Sequence, residues 1–284
     1  DPLSLHKNLQ ILAKKKINNV ILEASSHGLD QYRVDGIKFS IAGFTNISRD
    51  HLDYHGSLAK YFAAKARLFS EVMRSEGIAI LNGGSSYYKE LFDICKSRAH
   101  KVICYGVSDS SKQKGAVHLD LLKVVPDGSG SRVTICYKDQ IRNFYAPLIG
   151  VFQIENLLCA MGLALAGGLS FNTLIGSIPR IVNVRGRMDL VGQSQSKAKI
   201  YIDYAHTPDA LKKSIVSLKD YFNGRKIGWK SRIRNYDFFS WIHKTTNCVE
   251  NCNICSRCDK DLFQVRSKSS RFFSSLANFF SEFR

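Results

Sequence analysis

Short apolar runs alternate with amphipathic stretches along the first 227 residues of the chain. The apolar runs lie at 19–24, 37–45, 77–81 and 101–105, and polar residues bound each of them. Such runs are typical of strands that are buried on both faces of a parallel sheet. The alternation therefore predicts an α/β fold with a mostly parallel sheet and helices, in which ligands bind beyond the carboxyl ends of the strands.

Helical periodicity predicts further elements at 5–16, 57–70 and 157–166. The last of these helices ends at the pair Gly167-Gly168, as a C-cap does. Its apolar stretch is much shorter than a membrane span. No basic-then-apolar leader opens the chain, so a cytoplasmic protein is expected.

The chain carries a formal net charge of +17, from 41 Lys and Arg against 24 Asp and Glu. Its 44% hydrophobic and 23% charged residues are ordinary for a globular protein. The positive charge suits phosphate-rich small molecules, nucleic acid or an anionic membrane surface. Because no nucleic-acid-binding signature accompanies the charge, no nucleic-acid partner is expected. The oligomeric state stays open.

The composition changes abruptly near residue 228. All five prolines and 19 of the 20 glycines precede this position, whereas both tryptophans follow it. We therefore expect a boundary at this position and treat residues 1–227 and 228–284 as two unlike parts of the chain. Before the change, the polar stretch 193–199 predicts a linker, and a strand at 199–203 leads into a helix that begins near Pro208.

The final part contains four cysteines within eleven residues, Cys248, Cys252, Cys255 and Cys258. This density is typical of a zinc or iron–sulphur site. Structural zinc sites usually divide their ligands into two separated pairs, and the spacing leaves no room for that. A frameshifted or otherwise non-homologous tail is therefore favoured, with metal binding and a partner-binding amphipathic helix at 271–284 as alternatives.

Lys65 is the most informative single residue. It falls in the middle of the apolar stripe of the helix predicted at 57–70, seven positions after Leu58. Lys60 and Arg67 fall outside the stripe, where solvated charges are expected. Lys65 either extends to the edge of the helix or is a partly buried amine with a lowered pKa. A neutral amine could react with carbon dioxide to form a carbamate, which would act as a carboxylate.

Two polar clusters, at 23–28 and 46–56, follow the first two predicted strands. Glu23, His51 and a carbamylated Lys65 would supply oxygen and imidazole ligands, which suit Mg²⁺ better than a closed zinc site. Glu23 could equally be a solvated charge, and His51 could hydrogen-bond within its own loop. The neighbouring polar groups are expected to be turn and capping residues: Asp50, Asp53 and His55.

Five strings in the chain resemble the Mur ligase family. They are EASSHGLDQYR at 23–33, TNISRDHLDYHG at 45–56, AAK at 63–65, GRM at 186–188 and DYAHTPDAL at 203–211. They most resemble the ligases that add the third amino acid to UDP-N-acetylmuramoyl-L-alanyl-D-glutamate. The resemblance implies a partial central ATPase domain at 1–188, and a linker with the opening strand and helix of a Rossmann-like C-terminal domain at 189–227.

The resemblance also implies an activity, an ATP- and Mg²⁺-dependent ligation in peptidoglycan synthesis. ATP phosphorylates the substrate carboxylate to an acyl phosphate, and the amine of diaminopimelate or lysine then attacks. By motif, Lys65 corresponds to the carbamylated catalytic lysine and binds metal with Glu23 and His51. The remaining matches are Ser25, Gln31 and Arg33 for the muramoyl peptide, and Asn156, Arg187 and Asp203 for adenine, phosphate and ribose. Gln153 replaces the asparagine that is usual in the family.

Two family features are missing from the sequence. It contains neither the phosphate-loop pattern G-x-x-x-x-G-K-[ST] nor the Asp-Asn-Pro-Arg motif that selects the incoming amino acid. The phosphate loop and the UDP-binding domain are expected upstream of residue 1. The isolated chain is therefore expected not to hydrolyse ATP at a useful rate. The alternative to a truncated ligase is an inactive remnant or adaptor.

Overall fold

The computed structural model describes residues 2–106, 114–195, 197–222 and 227. These residues form two compact units. The first contains the residues up to 125 together with 131–146 and 151–180. The second contains the described residues from 181 onward and the short segments 126–130 and 147–150.

The helices of the first unit are α1 (Pro2–Lys14), α2 (Ser26–Asp30), α3 (Leu52–His55), α4 (Leu58–Arg67), α5 (Tyr88–Ser97), α6 (Val151–Ala166) and α7 (Phe171–Ser177). A π-helical turn at Leu68–Val72 continues α4, and a 3₁₀ turn at Ile178–Arg180 continues α7. The strands are β1 (Phe39–Phe44), β2 (Met73–Asn82), β3 (Lys101–Gly106), β4 (Ala116–Asp127), β5 (Gly130–Tyr137) and β6 (Gln140–Ala146). The predicted helices at 5–16, 57–70 and 157–166 are confirmed as α1, α4 and α6.

These strands form one sheet in the order β1-β2-β3-β4-β5-β6, which is also their order in the chain. Strands β1 to β4 are parallel, and β5 pairs antiparallel with β6. Phe44, Leu81, Cys104 and His118 lie in register across the four parallel strands. The predicted α/β fold with a mostly parallel sheet is confirmed.

Three of the four predicted strands are present. The runs at 37–45, 77–81 and 101–105 correspond to β1, β2 and β3. The run at 19–24 lies outside the sheet formed by the described residues, and its Val20 and Ile21 are exposed. That prediction is wrong. A buried parallel strand needs neighbouring strands, and no described strand pairs with this segment, although Ala24 packs against the core.

The core of the first unit surrounds β2. Phe69, Met73, Leu81 and Leu91 belong to one cluster of buried side chains, and none is more than 1% exposed. Helix α5 packs on β2 and β3, and α6 packs on β1, β2 and β3. The cluster therefore ties the helix that carries Lys65, through the turn that follows it, to the middle of the sheet.

Substitution by alanine is expected to have opposite effects on stability at two helical glycines. Gly162 of α6 faces β2, and a Cβ atom there would lie 2.6 Å from Ile80 Cγ2. We expect Gly162→Ala to lower the free energy of unfolding by about 1–3 kcal/mol, because the packed core must shift. Gly176 of α7 has open space at this position, so Gly176→Ala should gain up to about 1 kcal/mol of helix propensity.

Urea unfolding of both variants measures the two effects. A Gly162→Ala protein as stable as the unmodified chain would contradict the close packing of α6 on β2.

The second unit contains an antiparallel pair, β7 (Asp189–Gln193) and β8 (Lys199–Ile202), followed by α8 (Pro208–Tyr221). The predicted strand and the helix beginning at Pro208 are confirmed, and Thr207 caps that helix by accepting a hydrogen bond from the Ala210 N–H. The linker predicted at 193–199 is wrong, because Gln193 of β7 pairs with Lys199 of β8, so that a hairpin connection lies between them. Polar Ser and Lys residues serve hairpin turns and linkers alike, so composition did not separate them.

No helix in the described ranges is long and apolar enough to cross a membrane. The predictions for 228–284, including the cysteine site and the helix at 271–284, lie outside the described residues.

Candidate functional site

Buried and partly buried hydrogen bonds fix the carboxyl ends of β1, β2 and β3. The Asn82 side chain donates to the Thr45 carbonyl (2.9 Å) and accepts from the Gly84 N–H (2.8 Å). The Tyr105 hydroxyl donates to the Phe44 carbonyl (3.1 Å). These bonds hold the point at which the chain leaves β1 and enters the segment that carries His51. Sequence analysis missed Asn82 and Tyr105, although a polar side chain at a strand end was an available signal.

The three predicted muramoyl-peptide residues lie on one short segment. Ser25 caps α2, since its hydroxyl accepts the Gly28 N–H at 3.1 Å. Gln31 and Arg33 follow that helix, and the Arg33 guanidinium donates to Gln31 Oε1 at 2.6 Å. Both side chains are exposed, so they are available to a ligand. We call residues 25–35 the substrate segment, after the predicted role of these three residues.

Tyr54 connects the substrate segment to the segment that carries His51. Its hydroxyl accepts from Gln31 Nε2 (3.1 Å) and donates to Asp30 Oδ2 (2.8 Å). Its ring lies 4.1 Å from the His27 ring, between centroids. Two parts of the chain that are distant in sequence therefore meet at one aromatic side chain.

Three histidines gather beside Tyr54 and Tyr61. The His27 ring centroid lies 4.9 Å from that of His51 and 5.4 Å from that of His55. His55 stacks on Tyr61 with centroids 5.1 Å apart, and its Nε2 lies 3.0 Å from the Ser26 hydroxyl. Burial lowers the pKa of His55, and the nearby His27 lowers it further. His55, expected to be a turn or capping residue, is a buried member of this cluster.

His51 stands at a backbone turn in the left-handed region, with φ 55°. Its backbone N–H donates to Asp50 Oδ1 at 2.8 Å, and its ring Nε2 lies 3.7 Å from Asp50 Oδ2. Its ring also meets the edge of Tyr61, at 5.9 Å between centroids. Asp50 therefore acts as the predicted turn residue and holds the His51 backbone.

Lys65 reaches the same cluster from α4. Its Nζ lies 5.3 Å from the centroid of the Tyr61 ring, and the side chain is partly buried. Burial lowers the pKa of Lys65, whereas the carboxylates of Glu23 and Asp50 act to raise it. Glu23 is exposed, as expected for a solvated charge, and its role as a metal ligand stays a prediction. Of the two alternatives for Lys65, these observations favour the partly buried amine.

The donor chemistry of Glu23, His51 and Lys65 fits a hard cation only if Lys65 is modified. In the described ranges, no three His, Cys, Asp or Glu side chains converge closely enough to hold a metal ion. A carbamate on Lys65 would add carboxylate-like oxygens to a predicted set that otherwise offers the carboxylate of Glu23 and the imidazole of His51, and such oxygens are what Mg²⁺ prefers. The three-ligand set stays a prediction.

The predicted nucleotide residues are divided between the two units. Asn156 lies on α6 of the first unit and donates to Gln153 Oε1 at 3.3 Å. In the second unit, the Asp203 carboxylate accepts from the backbone N–H groups of Met188 (2.8 Å) and Ala205 (2.9 Å). Arg187 lies over the Tyr204 ring, 5.3 Å from its centroid. Asp203 thus already holds the backbone around Arg187, and its role toward ribose stays a prediction.

Comparison with known proteins places this chain in one family. Residues 1–164 match the Mur ligase middle domain, and residues 186–229 match the Mur ligase glutamate ligase domain. The first match covers more than half of the chain, which therefore belongs to the Mur ligase family.

Within the family, the chain is similar to UDP-N-acetylmuramoyl-L-alanyl-D-glutamate–2,6-diaminopimelate ligases. It is 37% identical over 227 residues to the enzyme of Bradyrhizobium diazoefficiens, covering 80% of this chain and 46% of the relative. It is 43% identical over 219 residues to that of Anaplasma marginale, covering 77% and 43%. A solved structure of a ligase of this name matches with a TM-score of 0.64 and 31% identity, over 77% of this chain and 43% of that one. The chain spans less than half the length of these relatives.

Proposed function

We propose that this chain carries part of a MurE-type ligase, which joins diaminopimelate to UDP-N-acetylmuramoyl-L-alanyl-D-glutamate with ATP. The main support is the 43% identity over 219 residues to a ligase whose name states these two substrates. The match to the family's middle domain, over 1–164, contains the substrate segment and Lys65. Sequence motifs left diaminopimelate and lysine as alternatives, and the relatives' names favour diaminopimelate. A cytoplasmic location is part of this proposal.

In this proposal, the substrate segment binds the muramoyl peptide. Arg33 carries a guanidinium that is exposed and oriented by Gln31. A guanidinium can form two parallel hydrogen bonds to one carboxylate, which gives both charge and orientation. The D-glutamyl residue of the proposed substrate offers carboxylates for this recognition. The neighbouring histidine and lysine cluster would then lie close to the reacting end of the peptide.

The same proposal assigns Mg²⁺ to Glu23, His51 and the carbamate of Lys65. When bound, Mg²⁺ neutralises phosphate charge and ATP supplies the phosphoryl group that activates the substrate carboxylate. Asn156, Arg187 and Asp203 are proposed to contact adenine, phosphate and ribose. Asp50 supports this arrangement by holding the His51 backbone, and Tyr61 packs against the side chains of His51, His55 and Lys65.

Calorimetric titration of the full chain with UDP-N-acetylmuramoyl-L-alanyl-D-glutamate tests the proposal. The unmodified chain should bind, and Arg33→Gln should weaken binding about tenfold or more, because it removes a charge-assisted hydrogen bond worth roughly 1.5–3 kcal/mol. Lys38→Gln, which removes the same charge from an exposed position after the segment, is the matched control and should change affinity less than about twofold. Absence of binding, or equal losses in both variants, would overturn the proposal.

A further inference from the structure

Arg67, the last residue of α4, has a side chain that is only 13% exposed and makes three polar contacts. Its Nη2 donates to Asp35 Oδ2 at 2.9 Å, and its Nη1 donates to the Leu29 carbonyl. Its Nε donates to Glu71 Oε2 at 2.7 Å, within the turn that continues α4. The sequence expectation of a solvated Arg67 is therefore wrong, because partners far away in the sequence enclose it.

A fourth contact holds the middle of the substrate segment. The Arg67 guanidinium lies 4.1 Å from the centroid of the Tyr32 ring, a cation–π distance. Tyr32 has a φ of 57°, in the left-handed region. Bulky residues adopt this conformation only where the surroundings hold it. Tyr32 separates Gln31 from Arg33, so its backbone angles set the direction in which both side chains leave the chain.

Three of the residues that Arg67 contacts flank Gln31 and Arg33 in the sequence. Leu29 precedes Gln31, Tyr32 lies between Gln31 and Arg33, and Asp35 follows Arg33. Glu71 alone among the four partners lies outside the substrate segment. A guanidinium is planar and donates in several fixed directions, so one arginine can meet these groups at the same time, whereas a lysine ammonium cannot reproduce that geometry.

We infer that Arg67 is a positioning residue for Arg33, and this inference rests on the proposed role of the substrate segment. Arg67 does not touch the ligand in this arrangement. It holds the left-handed turn at Tyr32 and both flanks of the segment, so that the Arg33 guanidinium is oriented before the ligand arrives. Since Lys65 belongs to the same helix, α4 also sets the placement of the substrate segment relative to the histidine and lysine cluster.

Two isosteric substitutions separate positioning from simple stabilisation. Asp35→Asn removes the ion pair of Arg67 with the substrate segment, and Glu71→Gln removes its ion pair with the helix side. In the full chain without ligand, Asp35→Asn should speed amide hydrogen exchange across 29–35 about tenfold, because the segment opens more often. Glu71→Gln should change this exchange less than about twofold, since its charge lies outside the segment and is more than half exposed.

The second measurement is the affinity of each variant for UDP-N-acetylmuramoyl-L-alanyl-D-glutamate, which a purely structural role of Arg67 would leave unchanged. Asp35→Asn should weaken binding about fivefold, and Glu71→Gln less than about twofold. In an Arg33→Gln background, Asp35→Asn should cause no further loss, because the side chain that it orients is gone. Arg67→Lys should behave like Asp35→Asn rather than restore binding.

Three outcomes would overturn the inference: equal effects of Asp35→Asn and Glu71→Gln, faster exchange with unchanged affinity, or additive losses in the double variant. If the unmodified chain does not bind the probe, the proposed function fails. The exchange comparison needs no ligand, so it would still decide whether Arg67 holds the segment.

Discussion

Replacing Lys65 with methionine is expected to abolish carbon dioxide capture by the chain and, at the same time, to raise its thermal stability at pH 7. Capture requires the neutral amine, whose nitrogen attacks carbon dioxide and releases a proton to leave a carbamate. Burial lowers the pKa of Lys65 below its ordinary 10.5, so the neutral form is available at a lower pH than in an exposed lysine. Methionine of similar length cannot form the carbamate.

The same shift determines how stability depends on pH. Because the folded state has the lower pKa, the unfolded state binds more protons, and the charged Lys65 costs stability at pH 7. The free energy of unfolding should rise as the pH increases from the lowered pKa toward 10.5, and Lys65→Met should remove that rise. Methionine should therefore raise the melting temperature most at and below neutral pH.

Two measurements check this result. Carbon-13 NMR with labelled bicarbonate should show a carbamate signal in the unmodified chain and none in Lys65→Met, and thermal unfolding across pH should show the change in slope. Lys60→Met removes an exposed lysine from the same helix and should keep the carbamate signal. A carbamate signal that survives in Lys65→Met, or a fall in its melting temperature, would count against the partly buried amine.

Replacing Leu81 of β2 with alanine should cause a large loss of stability. Leu81 is 0% exposed and lies in register between Phe44 of β1 and Cys104 of β3. Removing its side chain leaves a cavity in the buried cluster to which Leu81 belongs, and a packed core relaxes only partly to fill such a cavity. We expect a loss of about 3 kcal/mol, within the 2–5 kcal/mol range typical of this substitution.

Leu122 is the matched control for this experiment. It lies on β4 of the same sheet and is 53% exposed, so Leu122→Ala should change the free energy of unfolding by no more than about 0.5 kcal/mol. Urea unfolding of the two variants provides the comparison. Similar losses in both would show that the core is not centred on β2.

The sequence predicted β1, β2 and β3 because these strands are buried as continuous apolar runs. It did not predict β4, β5 and β6. Burial in β4 and β6 follows neither a continuous nor an alternating pattern, whereas β5 alternates, with Ser131, Val133 and Ile135 buried, and this signal was missed. In β4, Leu119 and Leu121 are buried while Val117, Leu122 and Val125 are exposed, so no simple period marks the strand. The strand predicted at 19–24 was wrong for the opposite reason, since its apolar pattern resembles a buried strand but no described strand pairs with it and its Val20 and Ile21 are exposed.

Prediction from local sequence patterns has the same limit for single side chains of the candidate site. Helical spacing placed Lys65 in the apolar stripe of its helix, because that position depends only on the local helix, and it left an extended side chain and a partly buried amine as alternatives. The same spacing placed Arg67 in solvent, since its partners Leu29 and Asp35 are 38 and 32 residues away in sequence. Contacts of that length depend on the tertiary fold, which local periodicity does not contain.

The sequential order of the six strands has a consequence for synthesis on the ribosome. Each of the described strands from β2 to β6 lies beside the strand made just before it, so none of these five waits for a partner that is translated later. Short separations between pairing segments reduce the entropy lost on closing each loop, which favours fast folding. The sheet can therefore grow from its amino-terminal edge as the nascent chain emerges, and each new strand covers the open edge left by the last.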